Sequence, residues 1–165
     1  MNTELKNNQI VLKQLTTEDS LLFYNLYFPK NGMSSNRKII INENKTPIEF
    51  TKNIISKCNH IFTIRTLENP NRIIGDCALH DLNQEKNEVE IGGTLIPEFW
   101  GKGIMASAFQ LLIELAQHEY SVDKIIAKTE IENSKALKFA QKIGFKKIKI
   151  ENESIVLEKR ISSNT

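Results

Sequence analysis

A glycine-bearing turn that leads into a helix is the segment of this chain best suited to bind a ligand. The residues Glu98-Phe99-Trp100-Gly101-Lys102-Gly103-Ile104-Met105 lie between a strand-like run, 89–96, and an amphipathic run, 104–116. The first N–H groups of a helix have no partner inside the helix, and the helix dipole places about half a positive charge there. Because such a mouth binds phosphate groups, the sequence predicts a phosphorylated ligand at the start of this helix.

The spacing of the glycines argues against the two common nucleotide-binding motifs. A P-loop needs Ser or Thr after its lysine, whereas Lys102 is followed by Gly103. The dinucleotide fingerprint needs three glycines across six positions, and only Gly101 and Gly103 are present. A tight turn without a ligand is the alternative that two glycines alone leave open.

Composition and charge narrow the class of protein. The chain has 165 residues, of which 40% are apolar and 25% charged, and this length and composition predict a single globular domain over residues 1–165. The net charge of +2 is too small to indicate a nucleic-acid or membrane partner. Its two cysteines are too few for a disulfide scaffold, its three histidines lack metal-ligand spacing, and its start lacks a secretory signal. We therefore expect reduced thiols, no metal and a cytoplasmic location. The sequence does not define the oligomeric state, and a homodimer is compatible with it.

The hydrophobic patterns predict a mixed α/β (α+β) domain. Helices are expected from Leu21, from Pro47 to about Lys57, over 104–116, and from Asn133 to a stop at Gly144. The polar segment 29–44 is interpreted as a loop. Strand-like runs cover seven stretches: 10–15, 61–67, 72–80, 88–96, 124–131, 146–150 and 155–160.

This order of elements and its motifs resemble the GNAT superfamily of acyl-CoA-dependent N-acetyltransferases, most closely the RimJ/RimL-like branch, which acts on protein N-termini and other amines. The resemblance covers nearly the full length and implies a central, mostly antiparallel twisted sheet of about seven strands, splayed between the fourth and fifth, with about four flanking helices. The matching pieces are Glu90-Ile91-Gly92, Pro97-Glu98-Phe99, Trp100-Gly101-Lys102-Gly103-Ile104-Met105, and Asn133 followed by Lys142-Ile143-Gly144-Phe145.

The resemblance implies acetyl-CoA as the acyl donor and assigns roles to these residues. Backbone amides of Gly101, Lys102, Gly103, Ile104 and Met105 would hold the pyrophosphate, with Trp100 in the first place of the signature. Unpaired backbone around Thr94, Leu95 and Ile96 would pair with the pantetheine arm, and an amide there would stabilise the thioester oxyanion. Asn133 and Phe139 complete the implied cofactor contacts. Two alternatives stay open: Lys102 adds charge to a phosphate or is a solvated lysine, and Asn133 binds the arm, caps a helix or does both.

For catalysis, Glu90 matches the glutamate that serves as general base in RimJ/RimL-like enzymes, and Glu88 shares its strand face. His80 and Asp81 end the adjacent strand and are candidates for a water relay. The sequence departs from the family at the general acid, because Ala140 replaces the usual Tyr and Ala136 the alternative Ser. Ser134 is the substitute candidate. Met105 replaces a small residue, so its side chain must point away from the phosphates.

The predicted activity is direct acetyl transfer to a primary amine, such as a protein N-terminus, with an acceptor pocket formed by residues 24–37 and 149–155. A polyamine or other small-molecule amine is the alternative acceptor, for which Glu43, Glu49, Glu88 and Glu90 supply acidic groups. Two further alternatives are an acyl-CoA-binding sensor with weak catalysis, suggested by the missing Tyr, and a plain nucleotide-binding domain.

Overall fold

The computed structural model describes residues 3–28 and 45–162, which form one eight-stranded sheet with four α-helices. The strands are β1 Glu4–Lys6, β2 Ile10–Gln14, β3 His60–Thr66, β4 Gly75–Asn83, β5 Glu88–Leu95, β6 Lys124–Glu130, β7 Lys146–Glu151 and β8 Ser154–Arg160. The helices are α1 Ser20–Tyr27, α2 Pro47–Ser56, α3 Ile104–Tyr120 and α4 Ser134–Lys142, and short 3₁₀ turns cover Thr17–Asp19 and Pro97–Phe99.

The sheet order is β1-β2-β3-β4-β5-β6-β8-β7, and every neighbouring pair is antiparallel except β5 and β6. The parallel pairing of β5 with β6 starts at Glu88–Lys124 and ends at Glu90–Ile126, although both strands continue. β6 remains paired with β8 along its whole length. The sheet therefore divides beyond Glu90, which confirms the predicted splay between the fourth and fifth of the seven expected strands.

The two faces of the sheet are covered by different helices. Residues of α3 at four-residue spacing, Ile104, Ala108, Leu112 and Ala116, are buried in the larger core cluster together with inward residues of β2 to β6. A smaller aromatic cluster from α1 and α2 covers Ala78 on the opposite face. Strand alternation thus places β5 between two environments, with α3 on one side and an open cleft beside α1 and α2 on the other.

Two strands differ from the sequence-based prediction. β1 was not predicted, because three residues with one half-buried leucine carry too little alternation to be recognised. β4 starts at Gly75 instead of Arg72, since the Arg72 amide closes a turn onto the Asn69 carbonyl, 3.2 Å away. The predicted loop at 29–44 lies outside the described residues. Among those described, no helix is long and apolar enough to cross a bilayer.

Candidate functional site

The turn before α3 has the backbone geometry that the glycine pattern predicts. Gly101 and Gly103 have φ of +77° and +76°, in the left-handed region that favours glycine. Apart from the adjacent residues, no atom of the described ranges lies within 4 Å of a Cβ built at either position. The first intrahelical bond runs from the Ser107 amide to the Gly103 carbonyl, 3.0 Å away. The preceding amides of the first turn, including those of Ile104 and Met105, therefore have no carbonyl partner within the helix. Together they form an open mouth suited to an anion.

Polar side chains from the N-terminal turn support this loop from behind. The Gln9 side-chain amide donates to the Lys102 carbonyl (3.0 Å), and its oxygen accepts from the Ser107 hydroxyl (3.1 Å). The Asn7 amide donates to the same hydroxyl (3.1 Å). These contacts join positions more than 90 residues apart, and no sequence motif marks Gln9 as part of the site.

Aromatic rings and cations form the outer rim of the loop. The Phe99 ring lies between the Arg72 guanidinium at 5.4 Å and the Lys102 ammonium at 5.3 Å. Arg72 also makes a two-pronged pair with Glu98, at 3.1 and 3.2 Å, and this hydrogen bond lowers the pKa of the Glu98 carboxyl. The Lys102 ammonium thus lies over a ring at the loop while the residue stays exposed, and its contact with a phosphate stays a prediction.

Trp100 connects the loop to the divided edge of β5. Its indole N–H donates to the Leu95 carbonyl at 2.7 Å, while 44% of the residue stays exposed. The Lys135 ammonium of α4 lies 5.3 Å from the same ring. The indole therefore occupies one of the backbone acceptors that face the gap between β5 and β6.

Strand alternation corrects part of the predicted cofactor set. The Ile96 amide donates to the Ile74 carbonyl (2.9 Å), so the prediction of unpaired backbone is wrong for this amide. Thr94, two residues before Ile96, pairs with Asp76, so its backbone groups also face β4. In an antiparallel ladder the residues in between direct their N–H and C=O groups to the opposite edge. Gly93 and Leu95 are therefore the residues whose backbone groups face the gap.

Gly93 is a position that the sequence reading missed. A Cβ built on Gly93 would lie 2.9 Å from the Asp76 carbonyl oxygen and 3.0 Å from the Met105 sulfur, so no larger residue fits without movement. The Met105 side chain therefore packs against β5. This agrees with the expectation that it points away from the mouth of the loop.

The carboxylate predicted as the base lies at the point where β5 and β6 separate. The Glu90 side chain is 14% exposed, with one oxygen 3.4 Å from the Lys128 ammonium and the other 3.4 Å from Nε2 of His80. The Nδ1 atom of His80 lies 2.9 Å from the Asp81 carboxylate. Three acid or base groups from two adjacent strands thus form a row that ends at solvent.

This row borders a cleft of about 450 Å³ on the face away from α3. Glu88 lines it together with Glu90, as their shared strand face predicts. Its charged lining residues are Asp81, Glu88, Glu90, Glu151 and Glu158, against Lys86, Lys128 and Lys149. The negative excess suits a cationic amine as the incoming group.

In the described part of the chain, His80, Asp81 and Glu90 are the group of potential metal ligands whose donor atoms converge, all within 4.8 Å. The two nitrogens of His80 face different carboxylates, and a single imidazole gives only one nitrogen to a given metal ion. The imidazole therefore links the two carboxylates, and the absence of a metal stays a prediction.

The start of α4 shows the capping function of Asn133. Its side-chain oxygen accepts from the Ala136 amide at 3.1 Å, which is one of the two roles left open by the sequence. Ser134 is exposed next to it, and Ala140 is buried. Phe139 is half-buried and packs edge-on against Phe109, with ring centroids 5.7 Å apart. Whether Asn133, Ser134 and Phe139 also act on a ligand stays a prediction.

The predicted acceptor region is described in part, because residues 29–37 lie outside the described ranges. Phe23 is fully buried, and Tyr27 is buried with its hydroxyl bonded to Asp76, so both belong to the core beneath α1. Tyr24 is half-buried and stacks near Phe28, at 4.5 Å. On the other side of the cleft, Lys149 lines it as the prediction for 149–155 requires.

Comparisons with known proteins agree with this geometry. A family model described as "Acetyltransferase (GNAT) domain" matches residues 9–146. An uncharacterised N-acetyltransferase, p20, of Bacillus licheniformis is 35% identical over 75 residues, which cover 46% of this chain and 42% of that protein. The match therefore spans about two fifths of the curated relative.

Solved structures share the fold over nearly the whole chain. RimL, a ribosomal L7/L12 alpha-N-protein acetyltransferase in complex with coenzyme A, superposes with a TM-score of 0.82 at 13% identity, covering 98% of this chain and 100% of that one. A ribosomal-protein-S5-alanine acetyltransferase from Vibrio fischeri gives 0.76 at 16% identity, with 96% of each chain covered. At these identities the likeness shows the fold alone.

Proposed function

This chain belongs to the GNAT acetyltransferase family, and from that membership we propose that it transfers the acetyl group of acetyl-CoA directly to a primary amine. The observation that carries the proposal is the separation of β5 from β6 immediately beyond Glu90. β5 carries the Glu90 carboxylate where the gap begins and offers backbone groups along the gap. The anion-binding loop that includes Gly101 and Gly103 follows the end of this strand. These are the parts needed for a base, a thioester and a diphosphate.

The donor would lie in the gap, with its diphosphate on the amides that follow Trp100. Gly93 and Leu95 offer backbone groups to the pantetheine arm, and an N–H there would stabilise the oxyanion of the tetrahedral intermediate. Lys102 and Lys135 add positive charge near the phosphates. The base on the other side of β5 would receive a proton from the acceptor ammonium.

The reaction then balances without a dedicated acid. The acceptor ammonium gives one proton to Glu90, and the neutral nitrogen attacks the thioester carbonyl. The C–N bond forms first and gives the tetrahedral intermediate. The C–S bond breaks when this intermediate collapses, and the thiolate takes the second proton that the nitrogen loses. Ala136 and Ala140 carry no group able to donate, and a thiol is already a fair leaving group. Ser134 is the remaining candidate donor.

We favour a protein N-terminus as acceptor, because the fold relatives described above act on ribosomal proteins. A polyamine is the second candidate, favoured by the excess of carboxylates in the cleft. The two cysteines, both free in the structure, suit a reducing compartment, and we propose the cytoplasm as the site of action. A homodimer is also proposed, and sedimentation equilibrium would test it.

The proposal is tested by incubating the protein with acetyl-CoA and two probe amines, an alanine-initiated peptide and spermidine, while free thiol is measured. Thiol release that depends on the amine, with an acetylated product by mass spectrometry, is expected for at least one probe. Titration calorimetry should show acetyl-CoA binding well and ATP poorly. Tight binding without transfer to any amine would support the sensor alternative, and preferential ATP binding would support a nucleotide-binding domain.

A further inference from the structure

A β-bulge at the end of β4 places two consecutive side chains on the cleft face. The pairing with β5 shifts register between His80 and Asn83, and Asp81 has φ of +53°. Adjacent side chains of a regular strand point to opposite faces, yet the Asp81 carboxylate lies 2.9 Å from Nδ1 of His80. Bulges of this kind redirect side chains, and a non-glycine residue in the left-handed region is strained. The fold therefore keeps a costly conformation that brings Asp81 to His80.

His80 lies between two carboxylates that differ in their access to water. The side chain of Asp81 is 76% exposed and that of His80 is 27% exposed, and Glu90 is the most enclosed of the three. His80 is directly opposite Glu90 in the register of β4 and β5. The row thus leads outward from the most enclosed carboxylate, through the imidazole, to a carboxylate in solvent.

We propose that His80 and Asp81 carry the proton collected by Glu90 out to solvent, with Asp81 as a positioning residue that fixes the imidazole. This inference rests on the proposed function of the same cleft. A carboxylate only accepts, so the contact with Asp81 places a ring hydrogen on Nδ1 and leaves Nε2 of the neutral ring as an acceptor toward Glu90. The 3.4 Å separation of Nε2 from Glu90 is long, as is common before a substrate tightens the site.

The steps balance in protons. Glu90 takes one proton from the acceptor ammonium and passes it to Nε2 of His80. The imidazolium releases its Nδ1 proton to Asp81 or to water beside it. The starting tautomer returns when Nδ1 takes a proton back from Asp81 or water and Nε2 gives its proton to solvent. One proton leaves for each acetyl group transferred, and no other reactant is required. Lys128 stays at the second oxygen of Glu90, which has lone pairs left for the amine.

The surroundings of the row favour this direction of transfer. Nε2 of His80 lies 3.8 Å from a Cβ built on Gly92 and 3.4 Å from the Glu90 carboxylate, so the acceptor side of the imidazole faces β5. The other charged groups of the cleft come from β5, β6, β7, β8 and the β4–β5 turn: Glu88, Lys128, Lys149, Glu151, Glu158 and Lys86. None of these lining residues is an imidazole, so His80, beside the cleft, is the group among the described residues here that can accept on one ring nitrogen and donate from the other.

The first test is kinetic. His80→Gln should lower kcat on the order of tenfold with an alanine-initiated peptide or spermidine, a part of the 10²–10⁴-fold that a general base provides, while KM for acetyl-CoA stays unchanged. His80→Ala should regain activity when free imidazole is added, which a merely structural role would not allow. His118→Gln, on the exposed side of α3, is the matched control and should behave as the wild type.

The second test is spectroscopic and independent of turnover. With only three histidines in the chain, ¹⁵N shifts of the imidazoles are assignable by the same variants. Neutral His80 should be the Nδ1–H tautomer, retained in Asp81→Asn and lost in Asp81→Ala. An Nε2–H tautomer in the wild type would overturn the relay, because that ring cannot accept from Glu90. Wild-type transfer that is unchanged in His80→Gln would overturn the relay alone, whereas no transfer to any amine would overturn the proposed function with it.

Discussion

At the scale of single residues, the proposed site depends on Glu90, a carboxylate that is largely shielded from solvent but has a partner at each oxygen. Glu90 lies between an ammonium and an imidazole, each 3.4 Å away. An enclosed charge with such partners keeps its position, while its remaining lone pairs stay available to an incoming N–H. This combination suits a base better than it suits a purely structural ion pair.

Glu90→Gln should reduce acetyl transfer by about 10²–10⁴-fold, because the amide cannot take a proton from the amine. Acetyl-CoA affinity should hold, since the residue lies on the cleft side of β5. Steady-state kinetics and calorimetry measure the two quantities. Glu88→Gln, on the same strand face, is the control and should lose little activity. An unchanged rate in Glu90→Gln would show that another group acts as the base.

Gly103→Asp should weaken acetyl-CoA binding much more than Gly103→Ala does. Both variants introduce a Cβ at φ of +76° and share its backbone strain. Only the aspartate adds a negative charge beside the predicted diphosphate, and we expect at least about a tenfold further loss of affinity, equal to about 1.4 kcal/mol. Calorimetry measures affinity, and circular dichroism checks folding. Equal affinities in the two variants would mean that no anion binds at this turn.

The glycine turn was predictable from the spacing of its glycines before a helical run, whereas Glu90 was assigned through the resemblance to RimJ/RimL-like enzymes, and its role as base stays a prediction. The same reading noted His80 and Asp81 but not their contact. The bulge that joins them includes Asp81 in the left-handed region of φ. Because no glycine or proline adjoins Asp81, the sequence does not predict a bulge at this position. Gly93 was missed because the sequence does not show which residues of β5 direct their backbone groups toward the gap. That depends on the register of β5 with its neighbour β4.

At the scale of elements, the N-terminal turn between β1 and β2 acts as a support for the loop before α3. Gln9 joins the Lys102 carbonyl to the Ser107 hydroxyl, and Asn7 shares that hydroxyl. Two consecutive glycine-favouring turns give the loop many alternative conformations. Side-chain bonds to its backbone reduce that freedom before a ligand arrives, which is preorganisation.

Gln9→Ala should raise KM for acetyl-CoA severalfold with little change in kcat, because it loosens the loop and leaves the cleft intact. Each lost hydrogen bond of this kind contributes about 0.5–1.5 kcal/mol. Gln110→Ala is the matched control, since that glutamine on α3 bonds only to the neighbouring Glu114 in the described contacts. A change in kcat alone, or an equal effect of the two variants, would remove Gln9 from the support of the loop.

This support could not be predicted from the sequence. Gln9 and Lys102 lie far apart in the chain, and β1 is too short to show a pattern. The helix α3 was predicted with its correct start, because its apolar residues recur at helical spacing after a glycine turn. Its end was set too early, at 116 instead of Tyr120, since the last turn is half-exposed and polar.

At the scale of the whole molecule, the sheet consists of two parts joined at three residue pairs, Glu88–Lys124 to Glu90–Ile126. β1 to β5 form one part, and β6, β8 and β7 form the other. The order of elements in both parts was predictable, because long alternating runs fix strand identity. The exact point of separation was not, as it depends on which backbone groups find partners across the gap.

Acetyl-CoA should slow hydrogen exchange at the gap-facing amides of β5, at Gly93 and Leu95, because the bound arm would give them hydrogen-bond partners. The amide of Ile96, already bonded to the Ile74 carbonyl, should change little and serves as an internal control. Exchange measured by NMR or by fragment mass spectrometry distinguishes them. Protection confined to the loop before α3 would show that the donor does not enter the gap.

The chain contains one tryptophan, and it stands where the loop meets the divided strand. Its indole is half in water, bonded to a carbonyl at the gap and close to a lysine. Its fluorescence is therefore an unlabelled optical signal from the donor site, free of background from any other indole. Occupation of that site by a thioester or by the released thiol can be followed in real time from this single emission.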